Sequence, residues 1–384
     1  MTTRTVALLG STGSIGTQAL DIIERNPERF RVTALAAGGG NVDVLIDQAR
    51  RFEVETVAVA AEEAADAVAA ALPGVEIDAG PGAVTRVAGA GADVVLNGVT
   101  GSIGLAPTLA ALTAGSTLAL ANKESLVAGG ALVKQAQTRP DQIVPVDSEH
   151  SALAQALRAG SPEEVRRLVL TASGGAFRGR SRDQFAGVTP AEALDHPTWD
   201  MGPVVTINSA TLVNKALEVI EAHLLFDVPM DAIDVVVHPQ SHIHSMVEFV
   251  DGSTIAQASA PDMRLPIALG LGWPDRVPMA TSGYDWTEPQ QWTFEPLDET
   301  AFPAIRIARE AVAASALHPA VFNAANEEAV AAFVAGNLSF LSIVDIVETV
   351  LADFSAPTEI SIAAVAAAET WARDTAHERI ASAA

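Results

Sequence analysis

The stretch TVALLGSTGSIGTQALDIIERN, residues 5–26, decides the fold. A short apolar run leads into Gly10, Gly13 and Gly16 and leaves in a helical pattern, so a strand, a tight turn and a helix follow one another. Glycines at such a turn let the backbone approach a pyrophosphate, and the helix N-terminus adds N–H donors and the positive end of a dipole. The spacing is G-x-x-G-x-x-G rather than the commoner G-x-G-x-x-G. A glycine turn needed only for tight packing uses the same residues, so the motif alone leaves both readings open.

Working outward, RVTALAA (31–37), TVAVA (56–60), DVVLNGV (93–99), STLALAN (116–122) and QIVPVD (142–147) read as further strands separated by Ala-rich helical segments. Alternation on this scale predicts an α/β fold, with a Rossmann-like doubly wound parallel sheet over residues 1–149. The second strand ends in AAGGGN (36–41), where an NAD-selective site would offer Asp or Glu to the ribose. The absence of that acid favours NADP. No basic residue stands there either, which leaves the 2′-phosphate to amides, Asn41 or a distant arginine.

The 384 residues carry 23 basic and 47 acidic side chains, a formal charge of −24. A chain this acidic repels nucleic acid and anionic membrane surfaces, so neither is an expected partner. The absence of cysteine excludes disulfides, thiolate metal sites and cysteine nucleophiles. The N-terminal apolar run is too short for a signal-peptide core, so a cytoplasmic location is expected. Residues 94–122 hold no charge, but Gly98, Gly101, Gly104, Gly115 and Pro107 break them into shorter elements than a membrane span requires.

A catalytic segment over 150–275 mixes the helical stretches SALAQALRAG and SATLVNKALEVIEAHLLF with the strands RRLVLTAS, AIDVVVHP and HSMVEFVDG. Within it, residues of about 174–203 show little periodicity and read as a lid. Residues 276–303 read as a proline-bearing connector and 304–384 as a C-terminal helical domain.

Four clusters carry the chemistry. Asp147 and Glu149 follow a strand and converge on one side only if the extended geometry persists. Two such carboxylates suit a hard divalent cation; an acidic first turn capping the next helix is the equal alternative. Asn214, Lys215 and Glu218 share a helix face by their three- and four-residue spacing, with Ser209 at the expected helix start. A solvated face is the bland interpretation. Against it, only Lys123, Lys134 and Lys215 among the 23 cations are lysines, and two of them lie in motif segments. A lysine in a chain that prefers arginine points to a compact charge suited to phosphate. His238, His242 and His244 lie within seven residues, where an acid/base or substrate-contact role outranks zinc. His196, Trp199 and Met201 sit near the end of the lid. Residues 160–216 hold six acids and six bases, a local net charge of zero in a strongly acidic chain.

GSTGSIG, ANKESLV, PVDSEHSAL, ASGGAFR, HPTWDMG, NSATLVNKALE, HPQSHIHSM and NAANEEAVAAF occur in this order. Together they resemble the 1-deoxy-D-xylulose 5-phosphate reductoisomerase family over nearly the whole chain. The resemblance implies a homodimer that uses NADPH and one Mg²⁺ or Mn²⁺ per subunit. It would rearrange and reduce the phosphorylated sugar to 2-C-methyl-D-erythritol 4-phosphate in non-mevalonate isoprenoid synthesis. It implies Asp147, Glu149 and Glu218 as metal ligands, with Lys123 and His244 also catalytic. Ser148, Ser173, His196, Trp199, Ser209, Asn214 and Lys215 would contact substrate alongside Lys123, Glu149 and Glu218. Thr12, Gly13, Ser14, Ile15, Asn122, Glu124 and Gly202 would contact the cofactor; AAGGGNV departs from the family by being one residue longer, with no lysine before the Asn, which leaves Gly38, Gly39 and Gly40, beside Asn41, as alternatives for the 2′-phosphate. Two other classes remain beside it: an NADP-dependent dehydrogenase of a small phosphorylated or acidic aldehyde, and a non-enzymatic nucleotide-binding protein.

Overall fold

The computed structural model describes residues 3–199 and 201–383; Asp200, one of the six acids counted over residues 160–216, lies outside them. The chain forms two compact units. The first contains the residues up to Ser125, Leu132–Ser151 and Asp262–Ser282, and the second Leu126–Ala131, Ala152–Pro261 and the residues from Gly283 onward.

The first unit is built on seven strands: β1 (Arg4–Leu9), β2 (Phe30–Ala37), β3 (Thr56–Val59), β4 (Glu76–Ala79), β5 (Val94–Asn97), β6 (Thr117–Leu120) and β7 (Ile143–Pro145). Their order is β4-β3-β2-β1-β5-β6-β7, and every pairing is parallel. Val6 to Leu9 and all of β5 are buried, as expected of central strands covered on both faces. Strand order reverses between β1 and β5, which opens a crevice beyond their carboxyl ends. Strand β4 escaped the sequence reading because EIDA is short, half acidic and only partly buried at the sheet edge. The helix Arg264–Gly272 also belongs to this unit, although sequence order placed it at the end of the catalytic segment. A side chain at Gly270 would lie 2.8 Å from Val146 Cγ2 and 3.0 Å from Ala119 Cβ, so glycine lets the helix close on the sheet. Arg264 Nε donates to Asp21 Oδ2 at 3.0 Å, tying it to the first helix, Ser14–Glu24.

The second unit holds β8 (Val165–Ala172), β9 (Ile233–Val237), β10 (Ile243–Phe249), β11 (Thr254–Ala258) and β12 (Glu295–Pro296), in the order β11-β10-β8-β9-β12. Only the β8–β9 pairing is parallel. Its core runs without a break from Leu168 and Leu170 through Phe302 and Phe322 to Ala372 and Ala376, so the helices beyond residue 304 share one core with the segment before them. Most of the segment read as a lid belongs to that core. Phe177 and Phe185 are fully buried, with ring centroids 4.9 and 5.6 Å from Phe340. These aromatics anchor residues 177–193, and exposed apolar side chains return at Leu194, Val204 and Val205. Among the described residues no helix is long and apolar enough to cross a membrane.

Candidate active site

In the first unit, the turn after β1 is shaped by glycine at two positions. Gly10 has φ +80°, and a Cβ there would lie 2.7 Å from the Gly98 carbonyl oxygen; one at Gly16 would lie 2.5 Å from the Gly10 oxygen. The helix Ser14–Glu24 that follows has Gly13 at its N-cap and no acid in its first turn. Its leading N–H groups therefore remain available to an anion. Thr12 and Ile15 are half-buried beside the turn, with Gly13 and Ser14 exposed. After β2, only Gly39 is demanded by the backbone: its φ is +109°, and a Cβ would meet Ala61 Cβ at 2.7 Å. Gly38 and Gly40 face open space, and Asn41 is exposed at the N-cap of Val42–Arg51.

Asn122 is more committed than a cofactor contact would be. It caps the helix Lys123–Ala136, its Oδ1 accepting from the Ser125 N–H at 2.8 Å, while Nδ2 donates to the Gly101 carbonyl at 2.9 Å and to Glu124 Oε2 at 3.0 Å. That leaves its backbone, rather than its side chain, to meet a ligand. Asn97, read from the sequence only as a break in the uncharged stretch, is buried and donates to the Gly104 carbonyl and Thr108 Oγ1 at 3.0 and 2.9 Å. This pair of asparagines explains how an uncharged stretch holds a polar loop.

Asp147 and Glu149 do not continue the strand. The helix begins at Ser148, and Asp147 Oδ1 accepts from the Glu149 and His150 N–H groups at 3.0 and 3.3 Å. The capping alternative is thus the local geometry, and the expected extended convergence is not. The two carboxylates nevertheless come together, each offering an oxygen within 4.8 Å of the other. Lys123 Nζ stands 3.3 Å from Asp147 Oδ2, and the Ser148 hydroxyl donates to Glu149 Oε2 at 2.6 Å. His150, fully buried with Nδ1 3.1 Å from Asp147 Oδ1, is an addition that its place beside two acids in DSEH would have suggested.

In the second unit, SATLVNKALEVIEAHLLF is two helices. Pro203–Ala210 ends before Thr211, Leu212 takes a left-handed φ of 59°, and Val213–Phe226 begins anew. Ser209 therefore lies in the last turn of one helix, not the first turn of the next. A non-glycine residue in this conformation costs energy and is kept where surroundings enforce it. Here it turns Asn214 and Lys215 into a first turn. Both bond Glu218, which makes the stripe an internal cluster: Lys215 is 4% and Glu218 2% exposed. The solvated-face interpretation fails on that burial.

Ser173 directly follows β8 and is joined to the Ser209 turn by Gly175, whose φ is +66° and whose Cβ would lie 2.5 Å from the Ser209 carbonyl oxygen. His196 Nδ1 accepts from the Thr198 and Trp199 N–H groups at 3.1 and 2.9 Å. An acceptor at Nδ1 puts the proton on Nε2, which donates to Ser173 Oγ at 3.0 Å. The Gly175 N–H also points at Ser173 Oγ, at 3.3 Å. With both acceptor positions taken, the Ser173 O–H is directed outward as a donor. Burial lowers the His196 pKa, in keeping with a neutral ring.

The three histidines of HPQSHIHSM have separate fates. His238 Nδ1 donates to the Thr293 carbonyl at 2.8 Å, and its Nε2 accepts from the His242 and Ile243 N–H groups, so both nitrogens serve the turn. His242 packs on Tyr284, with Nδ1 2.8 Å from the phenol oxygen. His244 is buried, donates Nε2–H to the Ser259 carbonyl at 3.2 Å and stands edge-on to Trp199 at 6.2 Å. Burial pushes its pKa down to about 4, so it is neutral near pH 7 and does not offer an imidazolium proton there. Leu194, His196, Trp199, Met201 and Thr206 line an open cavity of about 370 Å³. Gly202 caps the helix Pro203–Ala210 and is exposed.

Three sequence profiles match in tandem. One described as 1-deoxy-D-xylulose 5-phosphate reductoisomerase matches residues 6–130, and two described as C-terminal domains of that enzyme match 143–226 and 258–375. The 1-deoxy-D-xylulose 5-phosphate reductoisomerase of Beutenbergia cavernae is 67% identical over 380 residues, covering 97% of this chain and 96% of its own. That of Streptomyces coelicolor is 59% identical, covering 97% and 92%. The solved structure of the Zymomonas mobilis enzyme in complex with NADPH superposes with a TM-score of 0.92 at 43% identity, over 98% of this chain and 99% of that one. A reductoisomerase in complex with NADPH, fosmidomycin and magnesium gives 0.89 at 34% identity, over 98% of both chains. With identity this high over the full length, the chain belongs to the 1-deoxy-D-xylulose 5-phosphate reductoisomerase family.

Proposed function

We propose that this chain uses NADPH and one divalent cation, Mg²⁺ or Mn²⁺, to convert 1-deoxy-D-xylulose 5-phosphate into 2-C-methyl-D-erythritol 4-phosphate for isoprenoid precursors. The observation that carries the reading is the pairing of Asp147 with Glu149. Two carboxylates with oxygens this close repel one another unless positive charge lies between or beside them. Lys123 supplies part of that charge, and an all-oxygen donor set suits a hard cation. Asp147 and Glu149, with Glu218, are the proposed ligands. The cofactor fits the turn at Gly10 and Gly16, where any Cβ would strike backbone, and the uncapped helix start beside it receives the pyrophosphate. Thr12, Gly13, Ser14 and Ile15 line that turn, and Gly38 and Gly40 leave room for the 2′-phosphate beside Asn41.

When bound, the cation polarises the substrate's carbonyl and hydroxyl oxygens as a Lewis acid, and NADPH supplies hydride. The chain's own residues bind and orient. Lys215 meets the substrate phosphate as a compact charge held in place by Glu218, with Asn214, Ser173 and Ser209 donating beside it. His196 sets the direction of the Ser173 O–H and holds the backbone at Trp199, while Trp199 and His244 form an apolar wall that limits water. The phosphate lies away from the reacting carbons, so its binding energy orients the substrate. Lys123, Ser148 and Glu149 face the sugar end. We place the enzyme in the cytoplasm as a homodimer, which light scattering of the purified protein would check.

The test is NADPH oxidation with 1-deoxy-D-xylulose 5-phosphate. Turnover should vanish with EDTA and return with excess Mg²⁺ or Mn²⁺. Turnover undiminished by EDTA would overturn the metal assignment, and its absence under all conditions would overturn the function.

A further inference from the structure

The NAANEEAVAAF motif has no role in the site described above, yet Asn326 within it is fully buried on the helix His318–Val334. Asn326 Nδ2 donates to Asn208 Oδ1 at 3.0 Å, across a separation of 118 residues. Asn208 is itself 6% exposed and directly precedes Ser209 in the last turn of Pro203–Ala210. Asn326 Oδ1 has no partner among the described residues. A core position of this kind would be more stable with an apolar side chain of similar shape, because a buried unpaired acceptor is costly. Packing alone therefore does not explain the asparagine.

We infer that Asn326 is a positioning residue for recognition of the substrate's phosphate, acting through Asn208 on Ser209 and the turn that follows. A run of hydrogen bonds around Asn208 supports this. The Asn208 carbonyl accepts from Thr211 Oγ1 at 3.3 Å, and Thr211 Oγ1 accepts from the Val213 N–H at 3.4 Å, one residue before Asn214. On its other side the Ser209 carbonyl rests against Gly175, beside Ser173. One amide from a C-terminal helix thus fixes the helix end on which four phosphate-binding side chains depend. The left-handed Leu212 holds backbone strain at that end, which its surroundings must keep in place.

This inference rests on the phosphate-site assignment proposed above, so wild-type turnover is the control that separates the two failures. Steady-state kinetics of Asn326→Leu, Asn208→Ala and the double variant test it. Each single change is expected to raise KM for 1-deoxy-D-xylulose 5-phosphate about tenfold, with kcat within about twofold and KM for NADPH unchanged. The double variant should match the singles, since both remove one interaction. An unchanged KM, additive effects, or parallel losses in kcat, KM for NADPH and Tm would make the pair structural and overturn the inference. Failure of both single variants to fold would do the same.

Discussion

The nucleotide turn after β1 and the cluster around Lys215, the two phosphate sites proposed above, are made by different means. The first is backbone: glycines, a helix start and no charged side chain over seven consecutive residues. The second is side chain: Lys215, Glu218 and Ser209, all buried, with the half-buried Asn214 and Ser173, assembled from segments some 40 residues apart. A backbone site follows from local sequence, because conformation alone defines it. A side-chain site depends on tertiary packing to bring charge out of water, so burial distinguishes it from a solvated stripe.

The contrast breaks first at the carboxylates. Asp147→Asn or Glu218→Gln should lower metal-dependent turnover about 10³-fold or more, equivalent to roughly 4 kcal/mol, with Tm little changed for Asp147→Asn. Loss of activity in only one of them would separate the ligand set. Buried side chains should next make the second unit the acid-sensitive one. His244 keeps a pKa near 4 in the fold against about 6.5 when unfolded, so the folded state resists a proton that the unfolded state accepts. Stability is then complete above pH 6.5 and falls as pH drops toward 4, by about 3 kcal/mol at most. Thermal melts of His244→Phe should show a flatter profile over that window, and an identical profile would remove His244 as the cause.

Two glycine substitutions sharpen the comparison further. Gly10→Ala should raise KM for NADPH by roughly 10- to 100-fold and spare the sugar phosphate, while Gly175→Ala should do the reverse; each introduces a left-handed alanine that collides with backbone. The same KM rising in both would mean the two sites are not separable. The smallest effect concerns cofactor choice. With no acid in residues 36–41 to select the ribose hydroxyls, and no basic side chain to strengthen the choice, NADPH should be preferred over NADH by only about tenfold, measured as kcat/KM, and equal use would contradict the reading of AAGGGN.

Much of this was legible without coordinates. Six of the seven parallel strands announced themselves as apolar runs, and the carboxylates and lysines stood out by spacing and rarity. What stayed hidden depended on tertiary context. The break at Leu212 leaves the helical periodicity of residues 209–226 intact, so nothing local reports it. Phe177 and Phe185 carry no periodic pattern around them, and their segment looked like a lid until Phe340 and Phe302 supplied the packing partners. Arg264–Gly272 returns to a sheet whose nearest strand in sequence ended more than 100 residues earlier. The exchange of His196 between Ser173 and the Trp199 backbone is a matter of tautomer, which spacing cannot encode.

The central claim, that Asp147, Glu149 and Glu218 hold one divalent cation, is tested most directly by titrating the protein with Mn²⁺ and following the electron paramagnetic resonance of the free ion. The wild type should bind one ion per chain, and Asp147→Asn and Glu218→Gln should each weaken that binding at least about tenfold. Undiminished affinity in Glu218→Gln would contradict the account.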